Sequence, residues 1–463
     1  MVARLLPVIV VSACAAAPAP AAAPAPVVVA PAPGPYHDPD HARGELPNAA
    51  SRKGELAVLR KSLDTMYAHR LEKLGRYHLD EDGLFADAEH ALLAATTWAQ
   101  YDAAIYDALA RFHDGHLTYH PPATAAPKRG YTAYSLGLST VRAGMRLLIA
   151  HVTADAFTKA GVAPGDEVVA IDGKPVADLL AEAGQSRAVS RPESAMTTYA
   201  RTWTTVLYAK DSPPRERTIR VATQTGEVDV RVVPEKLDHA HREPATVTMN
   251  GDVAVVTIAS LEGGTKRAEQ IDKVLETARG AKAIAIDLRG NRGGIDFIGH
   301  RLLADLAEGT ASLGSYRVLV APETIARRPM WKALAGTGDA QGFSPPQPVT
   351  VKALDHGFKG KVAVIVDAAC ASTCEVVTAA LRADLHALVV GETTGGSSGG
   401  PVSIELPSSH ADVGIPTWVL TSAEGQPIED VGVVPDLAID ATPDALRKNL
   451  DLPLQTAIDR IRP

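Results

Sequence analysis

Two turns that each follow an apolar run hold the residues with the clearest capacity for chemistry. In the first, Ala283-Ile284-Ala285-Ile286-Asp287-Leu288 leads straight into Arg289-Gly290-Asn291-Arg292-Gly293-Gly294. This reads as a buried strand ending in a Gly-rich turn, whose backbone N–H groups a ligand can approach because no Cβ stands in the way. Such a turn can cradle a phosphate or stabilise an oxyanion, but the Gly-Lys-Ser/Thr ending of a Walker-type loop is missing. In the second, Asp367-Ala368-Ala369-Cys370-Ala371-Ser372-Thr373-Cys374-Glu375 follows the run Val362 to Val366 and opens a helix through Leu381. A nucleophile there projects into the crevice at the carboxyl end of the strand, and the helix dipole favours developing negative charge. Ser372 holds that position. Serine at a helix start is also an ordinary N-cap, so residue type alone leaves both roles open.

The elements that must position these turns follow from periodicity. The chain has 463 residues, 46% of them hydrophobic and 22% charged, which is enough for two or three globular domains. Its net charge of −8 and its lack of a Lys/Arg cluster exclude nucleic acid as the main partner. From Glu45 to Phe112 apolar residues recur at helical spacing (Leu56, Leu59, Leu63, Met66; Tyr101, Ile105, Leu109), which predicts a helical domain over 45–128. Breakers at Pro121, Pro122, Pro127 and Gly130 introduce a β-rich module over 129–238. There, Pro164-Gly165-Asp166 precedes a strand at Glu167 to Ile171, and Asp172-Gly173-Lys174 turns it back. Strands then alternate with helical stretches over 245–445, which is the rhythm of an α/β core, and 446–463 adds a C-terminal helix.

The amino terminus reads as an export signal over 1–13, with Arg4, an apolar run from Leu5 to Val11, and then Ser12-Ala13-Cys14. It is too short to cross a bilayer. The apolar, small, small, Cys order resembles a bacterial lipoprotein box. That resemblance implies lipid on Cys14, a membrane anchor and the periplasmic face of the outer membrane, a plain secretory signal being the alternative. The Ala/Pro/Val-rich stretch within 14–44 is a stalk. Only Cys370 and Cys374 then remain, either bonded or as two buried thiols.

Taken together, the motifs resemble the serine peptidase family of C-terminal-processing proteases and the tricorn core. The resemblance rests on Asp287-Leu288-Arg289-Gly290-Asn291-Arg292-Gly293-Gly294, on Ser372 three residues before Glu375, on Gly391-Glu392-Thr393-Thr394-Gly395, and on Gly432-Val433-Val434-Pro435-Asp436. It implies a crotonase/ClpP-like α/β core with Ser372 as nucleophile and the amides of Gly293, Gly294 and Thr373 as the oxyanion hole. The module before the core resembles a PDZ domain, which implies that Leu136, Gly137 and Leu138 bind the carboxylate of a polypeptide substrate.

The sequence departs from one branch of that family. Ser397 stands where the C-terminal-processing branch has its general-base Lys, and no Lys occurs from Leu385 through Arg447. The tricorn-like branch uses a His before the PDZ module, and His116 in His113-Asp114-Gly115-His116 matches it, with His113 the competitor. An imidazole with a pKa near ~6.5 is mostly neutral at about pH 7 and ready to accept the Ser proton. Glu429 matches the Glu that completes a relay to the His through a Ser, but Gly115 occupies that Ser position. The link is therefore direct, through water, or through another residue.

The expectation is a serine endopeptidase acting on exported polypeptides, with no metal and no organic cofactor. The alternatives are a non-catalytic binder of apolar ligands or peptides, since modules of interphotoreceptor retinoid-binding protein resemble the same fold, and a PDZ-based adaptor.

Overall fold

The computed structural model describes residues 43–122, 131–185, 188–209, 213–237, 243–354 and 357–463. Cys14, the Ala/Pro-rich stretch and the expected boundaries near 128 and 238 lie outside the described residues.

Helices Ala49–Met66, Arg70–Arg76, Glu81–Ala94 and Trp98–Ala110 follow in quick succession. Asn48 starts the first by accepting a hydrogen bond from Ser51 N at 3.0 Å, satisfying one of the donors a helix start leaves open. Its apolar stripe, Leu56, Leu59, Leu63 and Met66, is buried as the spacing predicts. These helices do not close their own core. The hairpin Pro401–Glu405 and Asp412–Pro416 packs Val402, Ile404, Val413 and Ile415 against them. Thr118–His120 then pairs antiparallel with that hairpin, so segments almost 300 residues apart share one core.

The β-rich module is a sheet in the order Leu138–Ala143, Arg146–Val152, Glu167–Ile171, Arg217–Thr223, Gly226–Val232. Asp172 and Gly173, both at positive φ, turn the chain back so that Lys174–Pro175 pairs with Glu167–Ile171. Helix Pro192–Thr202 ties the module to the rest of the molecule. Arg142 donates to Glu392 at 2.8 Å, Thr197 Oγ1 to Glu392 at 3.3 Å and Arg201 to Asp367 at 3.1 Å.

The third unit is α/β. Its sheet runs Ala245–Asn250, Val253–Ile258, Ala283–Asp287, Lys361–Val366, Leu388–Gly391, Leu437–Ala438, parallel throughout except for the first strand. Parallel strands are covered on both faces, which is why they read as unbroken apolar runs. Helices Gly264–Ala278, Asp296–Leu306 and Thr373–Leu385 cover one face. Helix Leu452–Ile461 covers the other, setting Ala457, Ile458 and Ile461 on Val253, Ala283 and Ile365. Ala283–Asp287 and Lys361–Val366 are direct neighbours in the sheet, so the turns that leave their carboxyl ends meet in one crevice.

Candidate active site

Ser372 sits at the start of helix Thr373–Leu385 with φ 59° and ψ −128°, a conformation L-residues with side chains rarely adopt. A backbone held this way costs about 1–3 kcal/mol and persists only where neighbours fix it. Here Ser372 N donates to Ser397 O and to Glu375 Oε2, both at 3.0 Å. Ser372 and Glu375 form a capping box at the helix start, and the Ser372 hydroxyl also lies 3.1 Å from His116 Nε2, so N-cap and candidate nucleophile are one residue.

His116 arrives from the loop after helix Trp98–Ala110. Asp114 shapes that loop: its Oδ1 accepts from His116 N at 2.8 Å and its Oδ2 from the Tyr67 hydroxyl at 2.9 Å. Burial lowers the imidazole pKa below its ordinary value, with the Asp114 carboxylate pulling the other way, so the ring is neutral at neutral pH. His113, the competitor, stacks its ring on Tyr77 with centroids 4.1 Å apart and is not the histidine on Ser372.

The other ring nitrogen, Nδ1, is 2.9 Å from the Ser397 hydroxyl. Nothing in the sequence assigns Ser397 this role, although it stands where the C-terminal-processing branch has its Lys. Gly115 explains the exchange, because a Cβ there would stand 2.8 Å from Ser397 Oγ. The hydroxyl is supplied from across the crevice, into space that a side chain at 115 would fill. Ser397→Ala should lower kcat by roughly 10- to 100-fold, as expected for losing one orienting hydrogen bond to a base; steady-state kinetics on the folded variant checks it.

Of the three links left open between Glu429 and His116, the direct one is absent, since the carboxylate makes no bond to that ring. Oε1 takes the Lys73 ammonium at 2.6 Å and the Ser190 hydroxyl at 2.7 Å, while Oε2 accepts from Ser398 N at 2.7 Å. A buried ammonium draws a buried carboxylate more strongly than a neutral ring does. Burial and the nearby Asp114 raise the Glu429 pKa, and Lys73 and Ser190 draw it back.

Glu375 has a larger structural part than the motif suggests. Fully buried, it accepts from Thr394 Oγ1 at 2.6 Å and Gly396 N at 2.7 Å on one oxygen. Its other oxygen accepts from Ser397 N at 2.9 Å and Ser372 N at 3.0 Å. Burial pushes its carboxyl up to about 7 against the pull of these four donors. One carboxylate thus holds the backbone of both hydroxyl residues that flank the imidazole.

The glycine turn lies against the Ser372 elbow. A Cβ on Gly293, at φ +84°, would come within 2.6 Å of Ala371 O, 2.9 Å of Ser372 Cβ and 3.0 Å of Thr373 N. Of the three expected oxyanion donors, Gly293 N is already engaged by Asn291 Oδ1 at 2.9 Å. The flanking Ile295 N donates to Leu261 O. Gly294 N and Thr373 N have no acceptor among the described residues, which leaves those two amides for a ligand. Cys370 and Cys374, the pair left open by the sequence, are joined in a disulfide around the elbow.

The turn Leu136-Gly137-Leu138, the expected carboxylate cradle, leads into strand Leu138–Ala143. Leu136 N donates to Thr204 O at 2.9 Å and Gly137 N to Ser135 Oγ at 3.0 Å, so two of its three amides are engaged inside the module. Among the described residues, those that come nearest to a metal-ligand set are His69, Asp114 and Glu429, whose donor atoms lie within 4.8 Å of one another. The Lys73 ammonium already serves that Glu429 carboxylate as its cation, and a second cation there would be repelled.

The sequence model of Peptidase family S41 matches residues 252–439, the stretch that contains both chemical turns. No curated protein matches the chain. Among solved structures, mature CPAF complexed with lactacystin is similar to 89% of this chain and 97% of its own, with a TM-score of 0.67 and 15% identity. The photosystem II D1 C-terminal processing protease follows over 86% of this chain and 94% of its own, with a TM-score of 0.50 and 17% identity. At such identities the structural likeness speaks for the fold, while the family match rests on the core sequence itself. The S41 match spans the glycine turn, the Ser372 elbow and Glu429, so residues 252–439 are similar to the core of peptidase family S41, and the chain is a serine-type peptidase.

Proposed function

We propose that the chain is an endopeptidase that hydrolyses peptide bonds of exported polypeptides through an acyl-enzyme on Ser372, with His116 as general base. The observation that carries this reading is the 3.1 Å approach of His116 Nε2 to Ser372 Oγ. For Nε2 to accept a proton, Nδ1 must hold the ring hydrogen and donate it to Ser397 Oγ, which the 2.9 Å separation allows.

As Ser372 Oγ attacks the scissile carbonyl carbon, its proton passes to Nε2. The carbonyl oxygen becomes an oxyanion facing Gly294 N and Thr373 N, each such donor being worth on the order of 3 kcal/mol of barrier. Collapse breaks the C–N bond, and Nε2–H protonates the leaving amine. Water then repeats the sequence on the ester, releasing the carboxylic acid and restoring the serine.

Ile295 and Phe297, both exposed, stand one and three residues after Gly294. A polypeptide crossing the oxyanion amides would meet apolar surface there, which favours extended peptide substrates. The bonded cysteine pair and the signal-like amino terminus support an oxidising compartment as the place of action.

A fluorophosphonate probe tests the reading, since it reacts with an activated serine whatever the natural substrate. Covalent labelling of the wild-type chain is expected and its loss in Ser372→Ala. A folded wild-type chain that takes no label would favour a binding protein on the same fold.

A further inference from the structure

Lys73 is the side chain near the site that neither the motifs nor the chemistry above explains. It lies on the short helix Arg70–Arg76 with no exposed surface at all. A lysine buried so completely must find partners for all three of its N–H bonds. It has three: His113 O at 2.8 Å, Glu429 Oε1 at 2.6 Å and Asp430 Oδ1 at 2.7 Å. Burial alone would lower its pKa, but Glu429, Asp114 and Asp430 raise it above the ordinary value, so the group stays charged.

What those three acceptors hold is informative. His113 is three residues before His116 on the same loop, so the first bond fixes the segment that delivers the imidazole. Glu429 accepts from Ser398 N at 2.7 Å, one residue beyond Ser397. Asp430 N donates to Gly396 O at 2.8 Å, one residue before it. Bonds from one ammonium therefore lead to both sides of the His116–Ser397 contact, which joins two loops 281 residues apart in sequence.

We propose that Lys73 is a positioning residue for the peptidase, pinning the His116 loop and the Ser397 loop to the N-terminal helices so that the imidazole stays aimed at Ser372. The inference rests on the role of Ser372 and His116 given above. It adds that the helical region is a working part of the active site. Small displacements of a base cost rate steeply, because proton transfer needs the heavy atoms within hydrogen-bond reach. Substrate recognition, which falls on other surfaces, should be spared.

Lys73→Met keeps most of the side-chain volume and removes all three bonds. In the variant with wild-type circular dichroism, kcat and the rate of fluorophosphonate labelling are expected to fall about 100-fold, with KM within about threefold of wild type. Wild-type rates in that folded variant overturn the proposal, as does a loss confined to KM. Should the single variant not fold, because Glu429 is left buried without a cation while Asp430 keeps Arg76 at 3.2 Å, Lys73→Met is tested in a Glu429→Gln background. There it is expected to lower the rate of Glu429→Gln by at least about tenfold, and equal rates overturn the proposal. Wild-type labelling at Ser372 is the control: its absence overturns this proposal together with the peptidase mechanism, whereas its presence beside an unaffected Lys73 variant overturns the clamp alone.

Discussion

His116→Ala should lower kcat by on the order of 10^5-fold, Ser372→Ala should cost as much, and the double variant should cost no more than either. On the proposed mechanism the effects do not add, because the two residues serve one event, the transfer of the Ser372 proton across the 3.1 Å contact. With either partner gone, what remains is the binding of the peptide and the two oxyanion amides. The pH dependence gives an independent check. The base works only when neutral, so activity is lost as pH falls through the His116 pKa. Burial lowers that pKa, so the acid limb of kcat/KM should have its midpoint below the usual imidazole value near ~6.5. A profile that rises only in the alkaline range would assign the base to a lysine and sink the His116 mechanism.

Glu375→Ala is expected to have the second largest effect, on stability and on rate together. It deprives Thr394 Oγ1, Gly396 N, Ser397 N and Ser372 N of their acceptor at once. An unmet buried donor costs about 1–3 kcal/mol, although water entering the space left by the side chain will satisfy some of the four, so a net loss of roughly 3–5 kcal/mol is expected. Ser372 would also lose one of the bonds that hold its strained backbone, so kcat should fall well beyond what reduced folding explains. Chemical denaturation alongside kinetics at a temperature where the variant is fully folded separates the two. A folded variant with wild-type stability and kcat would show that the carboxylate supports neither loop.

Much of the site is legible in sequence because its chemistry is local. Gly293 and Gly294 announce themselves by residue type, since close backbone approach needs the missing Cβ. Ser372 is marked by its place between an apolar strand and a helix, and the parallel strands by unbroken apolar runs. The Ser397 role escapes because nothing near residue 397 in sequence states that His116 will arrive there. Its only local sign is the hydroxyl where the resembling branch has Lys. The Glu429 partner escapes for the complementary reason: a link to His116 is inferred by position, while Lys73, which bonds its carboxylate directly, is 356 residues away. Lys73 itself looks like an ordinary surface lysine of an amphipathic helix, and only burial shows otherwise.

Sequence alone determined which groups were available: a hydroxyl at a helix start, glycine amides beside it, an imidazole upstream, and an α/β core to carry them. These follow from backbone sterics and periodicity, which act over a few residues. Tertiary structure decided which of those groups touch. It brought Ser397 rather than Glu429 to the imidazole, left Gly294 N and Thr373 N without acceptors among the described residues while engaging Gly293 N, and closed the helical core with a hairpin from residues 401–416. Hydrogen bonds and burial act over ångströms in space whatever the separation along the chain, so partners far apart in sequence become visible only once the loops are packed.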